Sequence, residues 1–132
     1  MAVGLHAVNL ANKWLDMLAA TAFTAPSSAN VKLHTNAGDP GSAGTSNASA
    51  ETTRKALTWS AASAGSKAIA ATLPSWTSWA AGSETIAHIS VWDNISAGNF
   101  LYSFTLTTPK AVTNGDTLNL TAHTISFTPV AA

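Results

Sequence analysis

Histidines are the first side chains in this sequence to consider for metal binding or acid–base chemistry. The four are His6, His34, His88 and His123, and none lies four residues from another or beside a cysteine. The common zinc sites require such spacing. A metal-binding or basic role stays open for His34, which follows a strand-like run and precedes Asp39. We predict that the histidines are ordinary structural residues and that the protein binds no metal or cofactor.

The acidic side chains are spread singly along the chain, as Asp16, Asp39, Glu51, Glu84, Asp93 and Asp116. Glycoside hydrolysis needs two carboxylates that face each other across a cleft. Asp93 and Asp116 instead flank turn sequences, where an aspartate caps main-chain amides. No serine lies in a Gly-x-Ser-x-Gly motif, and the Gly38–Gly41 loop lacks the Gly-Lys-Ser/Thr ending of a phosphate loop. The sequence therefore predicts no enzyme.

Tryptophans could stack on sugar rings or bury themselves in a protein contact. Trp14, Trp59 and Trp92 fall on positions predicted to face inward, which favours core packing. Trp76 and Trp79 lie in a short irregular connector and are better candidates for a contact with another protein, because aromatic residues are favoured at interface cores. A carbohydrate-binding module that uses the same two rings is an alternative.

Arg54 is the single arginine of the chain and lies at the end of a long loop. A guanidinium can bind a carboxylate through two parallel hydrogen bonds. We therefore expect Arg54 to fix the loop by pairing with an acid.

A β-hairpin over residues 84–108 is the element on which the rest of the chain depends. Its first arm, residues 84–93, is rich in β-branched and aromatic residues. In the second arm, residues 99–108, the apolar residues alternate with polar ones, as in a half-buried strand. Residues 94–98 between them form a turn cluster. We expect Pro109 to end the second arm.

Further strands are predicted at residues 31–35, 52–60, 67–73, 116–121 and 123–128, with a new edge at Ala111–Val112 and a turn at Asn114–Gly115. Ile125 and Phe127 are expected to face inward. Short strands with a turn every ~8–12 residues are typical of a sandwich or barrel. We predict a mainly β fold, an antiparallel, jelly-roll-like β-sandwich over about residues 31–130, in a single domain of residues 1–132.

One amphipathic α-helix is predicted before the strands, over about residues 5–21. Its apolar stripe includes Leu10, Trp14 and Leu18 and covers roughly half the circumference. A stripe of that width predicts burial against the sheet, with room for a second surface. Residues 36–50 form a long loop of small polar residues, which is either functional or mobile.

The composition excludes several classes of partner. Only 9% of residues are charged and the formal net charge is zero, whereas an average soluble domain has about 25% charged residues. Nucleic-acid binders need a basic surplus, so we expect no nucleic-acid partner. No run reaches the ~18 apolar residues of a membrane span. So few charges would favour association, as in a subunit of an assembly.

Several short motifs occur in an order that resembles a known family. They are Phe23–Pro26, Val31–Thr35, Gly38–Gly41, Val91–Asp93, Gly98–Leu101, Leu106–Thr108 and Asn114–Asp116. The order resembles that of small virion proteins of tailed phages, many infecting actinobacteria, which are named tail fibre, minor tail or minor capsid (decoration) proteins. The loop end at Thr52–Lys55 departs from the family's Tyr-Ala-Arg-Gln-like run. The resemblance implies a non-enzymatic, structural role.

From these observations we expect a capsid decoration protein that is found in the virion and assembles in the host cytoplasm. Its partners would be copies of itself, as a homotrimer, and the major capsid protein. A tail fibre or minor tail protein, with tail proteins as partners, is the alternative. The candidate assembly contacts are Trp14, Asp39, Pro40, Arg54, Trp76 and Trp79.

Overall fold

The computed structural model describes residues 3–128. Eight strands lie in this range: β1 (Asn30–Thr35), β2 (Lys55–Ala56), β3 (Ser66–Ala68), β4 (Ser75–Trp76), β5 (Glu84–Trp92), β6 (Phe100–Val112), β7 (Leu118–Asn119) and β8 (Thr124–Ser126). All strand pairs are antiparallel. The predicted mainly β fold is therefore confirmed. The proposed sandwich limit at residue 130 lies outside the described residues.

The largest sheet has the strand order β2-β1-β5-β6 and contains the predicted hairpin. Central strand β5 is buried on both faces, from Ile86 and Ile89 on one side to Ser90 and Trp92 on the other. A near-continuous apolar run suits such a strand, because neither of its faces meets water. The hairpin turn places Asp93 Oδ1 against the main-chain N–H of Asn99, as expected of a turn aspartate.

Strand β6 does not end before Pro109, as the sequence suggested, but continues to Val112. Its pairing with β5 jumps from His88–Thr105 to Ile86–Lys110. Four β6 residues therefore lie opposite a single β5 residue and arch out of the ladder. Pro109 has no N–H to donate, and it is tolerated in a strand at such a bulge.

Two small ribbons, β3–β8 and β4–β7, pack on the sheet as a second layer. Trp76 and Leu118 of the second ribbon join Val31, Leu33 and Ile86 of the sheet in one core cluster. The strands predicted at residues 52–60 and 67–73 are much shorter than expected. Phe127, which we predicted to face inward, follows β8 and is 57% exposed.

The N-terminal helix runs from residue 7 to 19 and is less regular than predicted. A π-helical turn (Ala7–Ala11) leads into an α-helical turn (Asn12–Asp16) and a 3-10 turn (Met17–Ala19). It ends at Ala20, whose φ of 60° lies in the left-handed region. No helix within residues 3–128 has the length and apolar character to span a membrane.

Residues 36–50 are held to the sheet by a set of hydrogen bonds. Thr35 N–H donates to Asn47 O at 2.9 Å, and Ser49 N–H donates to Leu33 O at 3.1 Å. Pro40 and Ser49 are buried. The loop therefore pairs along the edge of β1 as a packed element, because its polar main chain has partners there.

Candidate functional site

The outer face of the N-terminal helix carries large apolar side chains that contact nothing in this chain's core. Val8 is 65% exposed, Leu15 is 64% exposed and Leu18 is 88% exposed. With Ala11 they follow the 3- and 4-residue spacing of a helix-packing seam. We call Val8, Ala11, Leu15 and Leu18 the helix stripe. The apolar face predicted to be buried against the sheet is buried only in part, because Leu10 is buried and Trp14 half-buried while the helix stripe is left on the second surface.

A groove of about 540 Å³ lies beside the helix stripe, between the helix and the β3–β8 ribbon. Five aromatic rings contribute to its walls: Trp14, Phe23, Trp59, Tyr102 and Phe127. We call it the aromatic groove. The rings of Trp14 and Phe127 meet edge to face, with centroids 5.2 Å apart and planes at 72°. Trp14 therefore lines the groove and is not one of the fully buried core residues.

The groove offers few groups that could recognise a polar ligand. Lys67 is one of them, and its ammonium donates to Ser60 O at 2.9 Å. The Tyr102 hydroxyl lies 3.1 Å from His123 Nε2. Burial raises the pKa of Tyr102 and lowers the pKa of His123 to about 4. Both groups are thus neutral at pH 7, and the groove suits apolar side chains of a protein partner.

Trp76 and Trp79, the candidates for a contact with another protein, are each only 2% exposed. The Nε1–H of Trp76 donates to Thr53 O at 2.8 Å, and that of Trp79 donates to Gly82 O at 2.9 Å. Both rings belong to the core cluster. They hold the β4–β7 ribbon on the sheet and present no surface to a partner.

Arg54 was predicted to pair with a carboxylate, but its hydrogen bonds go to two main-chain carbonyl groups. Its Nη1 donates to Asn94 O at 2.8 Å and to Ala97 O at 2.6 Å. The guanidinium also lies 4.1 Å from the centre of the Trp92 ring. Arg54 therefore anchors the β5–β6 turn, and burial lowers its pKa more than nearby Asp93 raises it.

The two predicted contacts in the long loop serve the loop itself. Asp39 Oδ1 accepts the main-chain N–H of Gly41 at 2.7 Å, and this bond lowers the Asp39 pKa. Pro40 is fully buried. Of the six candidate contacts, Trp14 is therefore the one that the structure brings to the apolar surface beside the helix stripe.

The metal-ligating side chains of the described residues do not gather into a metal site. Within residues 3–128, no three His, Cys, Asp or Glu residues lie close enough to hold a metal ion. His34 is fully buried, and its two ring nitrogens contact Ser46 O and Ser90 Oγ. Burial lowers the His34 pKa to about 4. The metal alternative for His34 therefore has no ligand set around it.

The helix was predicted to have room for a second surface beside its contact with the sheet. The sequence did not show which of its apolar residues would form that surface. The signal was the width of the stripe, because one contact with a sheet covers about a third of a helix. Val8, Leu15 and Leu18 fall beyond the arc that Leu10 and Trp14 occupy.

Fold and surface together define a small antiparallel β-protein whose most distinctive described surface is an apolar helix with an adjoining groove. The family model described as "Podophage GP4 fiber I protein gp80" matches residues 7–128. The chain belongs to this family and is a virion-associated, fibre-type structural protein of a bacteriophage. No curated protein matches the chain.

Proposed function

We propose that this protein is a non-enzymatic subunit of a phage tail fibre and acts through contact surfaces. The match of residues 7–128 to a podophage fibre family carries the proposal. The same match does not support the expected capsid decoration role. The tail fibre alternative therefore becomes the main functional hypothesis. Assembly in the host cytoplasm and an actinobacterial host stay predictions from the sequence resemblance.

The helix stripe and the aromatic groove support self-association as the way in which the subunit is used. A stable interface buries ~800 Å² on each partner. Val8, Leu15 and Leu18, which are 64% to 88% exposed, and Phe127, which is 57% exposed, supply a part of this area, whereas the other groove rings are already packed against the core. An unpartnered apolar surface of this kind on a monomer marks an interaction site.

A second copy of this chain is the occupant that fits this surface best. No residue of the helix stripe is charged, so nothing on it selects a partner of opposite charge. The helix stripe forms a ridge beside the aromatic groove. In a symmetric oligomer, the ridge of one copy can therefore pack into the groove of the next. We propose a homotrimer in which the stripes of three copies meet, as in a short helical bundle.

The carbohydrate-binding alternative loses its basis in this fold. It depended on the exposure of Trp76 and Trp79, which are buried. The remaining aromatic groove has few free polar groups with which to orient a sugar.

Gold-labelled antibodies on intact phage particles test the location. The proposal expects gold on the tail and on isolated tail structures, with heads unlabelled. An antibody to the major capsid protein is the matched control on the same particles. Gold distributed over the head surface would instead restore the decoration role and overturn the fibre proposal.

A further inference from the structure

Two of the six cationic side chains of this protein share one surface depression. Lys32 and Arg54 line a pocket of about 430 Å³ together with Thr52, Thr53 and Ser96. The pocket lies where β1, the approach to β2 and the β5–β6 turn meet. It is separate from the helix stripe and the aromatic groove, with which it shares no lining residue.

Arg54 is held rigidly at this pocket. Its Nη1 is fixed by the carbonyl oxygens of Asn94 and Ala97, and its plane lies over Trp92. Both hydrogen bonds use one nitrogen, so the donors on Nη2 and Nε remain for another group. A preorganised guanidinium binds an anion with little further loss of side-chain freedom.

Lys32 faces the same pocket without a countercharge. Within residues 3–128, its ammonium makes no hydrogen bond or ion pair. Burial lowers the Lys32 pKa, and the positive charge of Arg54 lowers it further. A pair of like charges that repel each other in this way is stabilised by an anion placed between them.

The acidic residues near the pocket are committed to other bonds. Glu51 Oε1 accepts the main-chain N–H of Thr53 at 2.7 Å. Asp93 accepts from the main chain and the side chain of Asn99, at 2.6 Å and 2.9 Å. Neither carboxylate bonds to Lys32, and no acid contributes to its pKa shift. Asp93 therefore balances part of the Arg54 charge, whereas no carboxylate of the described residues balances Lys32.

We propose that the Lys32–Arg54 pocket is a binding site for a single phosphate group. Three hydroxyls, those of Thr52, Thr53 and Ser96, line the pocket and have no other partner among the described residues. Together with the ammonium and the guanidinium they supply donors for a tetrahedral oxyanion. Ile95 forms an apolar wall, and the volume leaves room for a small group esterified to the phosphate.

The chemistry of the pocket fits an isolated phosphate rather than a nucleic-acid strand. A polyanion is bound by a row of cations that neutralise successive phosphates. Here two cations line one pocket, and the chain as a whole has zero net charge. The phosphate can be free in solution or part of a phosphorylated glycerol or sugar, and these sources are separated by the choice of probe.

Nuclear magnetic resonance of the full chain tests the site at constant ionic strength. Inorganic phosphate, glycerol 3-phosphate and uncharged glycerol are titrated in turn. The amide signals of residues 52–54 and 94–96 should shift and saturate with both phosphates and stay in place with glycerol. Tighter binding of glycerol 3-phosphate would identify an ester as the ligand, whereas equal binding would identify the free ion.

Lys32→Gln should weaken phosphate binding at least tenfold, while Lys110→Gln, which removes the same charge at an exposed position, should leave it unchanged. Thr52→Val, which keeps both cations, should weaken binding severalfold and covers the case in which Lys32→Gln disturbs the fold. Linear shifts without saturation would overturn the proposal. So would equal binding by wild type and Lys32→Gln. Neither result would affect the fibre role, which rests on the family match.

Discussion

The Nε2 atom of His34 lies 2.7 Å from the hydroxyl oxygen of Ser90 on the adjacent strand, and both side chains are fully buried. On the other side of the ring, Nδ1 faces the Ser46 carbonyl oxygen at 2.8 Å, so Nδ1 carries the proton. The Ser90 oxygen also accepts Trp92 Nε1–H at 2.9 Å. In this arrangement the Ser90 hydroxyl donates to Nε2, so a second proton on His34 would reverse this bond and leave the Ser90 hydroxyl proton without its acceptor.

The free energy of unfolding should fall when the pH drops from about 6.5 to 4. Burial lowers the pKa values of His34 and His123 to about 4, so the unfolded chain takes up protons first and is favoured in this range. Above pH 6.5 both states are neutral and this effect is absent. His34 alone contributes on the order of 3 kcal/mol across its shift from 6.5 to about 4.

Urea denaturation at several pH values measures this dependence, with the double variant His34→Gln/His123→Gln as the control. The double variant should be less stable at pH 7 but nearly independent of pH between 6.5 and 4. A wild-type stability that stays constant over this range would contradict the neutral network.

Gly44→Ala should destabilise the protein by roughly 2–3 kcal/mol. A Cβ atom at Gly44 would overlap the ring of Phe100, and its φ of +69° is unfavourable for alanine. Gly115→Ala is the matched control, because Gly115 has a φ of +93° and open space around it. Thermal melts of the two variants separate the ring contact from the backbone effect, and equal losses would show that Phe100 can move aside.

Trp76→Ala should cost roughly 3–5 kcal/mol, as expected for a buried aromatic residue of the core. Trp14→Ala removes a half-buried ring at the groove and should cost clearly less in the monomer. Chemical denaturation in dilute solution provides the comparison. If Trp14→Ala proves the more damaging change, the helix is more important to the folded chain than its exposed stripe indicates.

Leu18→Glu should break self-association without lowering monomer stability, because this side chain is 88% exposed. Light scattering after size-exclusion chromatography should give a multiple of 13.4 kDa for wild type and 13.4 kDa for the variant. Leu73→Glu changes a 39% exposed leucine away from the helix stripe and should keep the wild-type mass. A wild-type mass of 13.4 kDa at all concentrations would exclude the proposed homotrimer.

The hairpin was the most predictable part of the fold because its information is local. Alternation from Phe100 to Leu106 specifies a strand, and the turn cluster after Asp93 specifies where the chain reverses. The continuation of β6 through Pro109 was not predicted. It depends on a bulge in the pairing with β5, and the sequence around Pro109 does not show how the two strands pair. Asp93 and Asp116 were correctly predicted as turn residues, since a carboxylate reaches main-chain amides within its own turn.

The candidate site was harder to predict because burial is decided by distant parts of the chain. Trp76 lies in a strand of two residues, too short for a period to show which way it faces. Its partner Leu118 is far away in sequence. In the helix, the periodicity gave the apolar face correctly but could not tell a contact within the chain from one between chains.

Residues before the helix also lie along the outer side of the long strand β6. Ser103 N–H donates to Gly4 O at 2.9 Å, and His6 N–H donates to Leu101 O at 2.7 Å. Main-chain groups of this stretch are thereby removed from the reach of other polypeptides. Uncontrolled fibrillar growth by strand addition is blocked at this point, because an approaching chain finds no free backbone groups there to pair with.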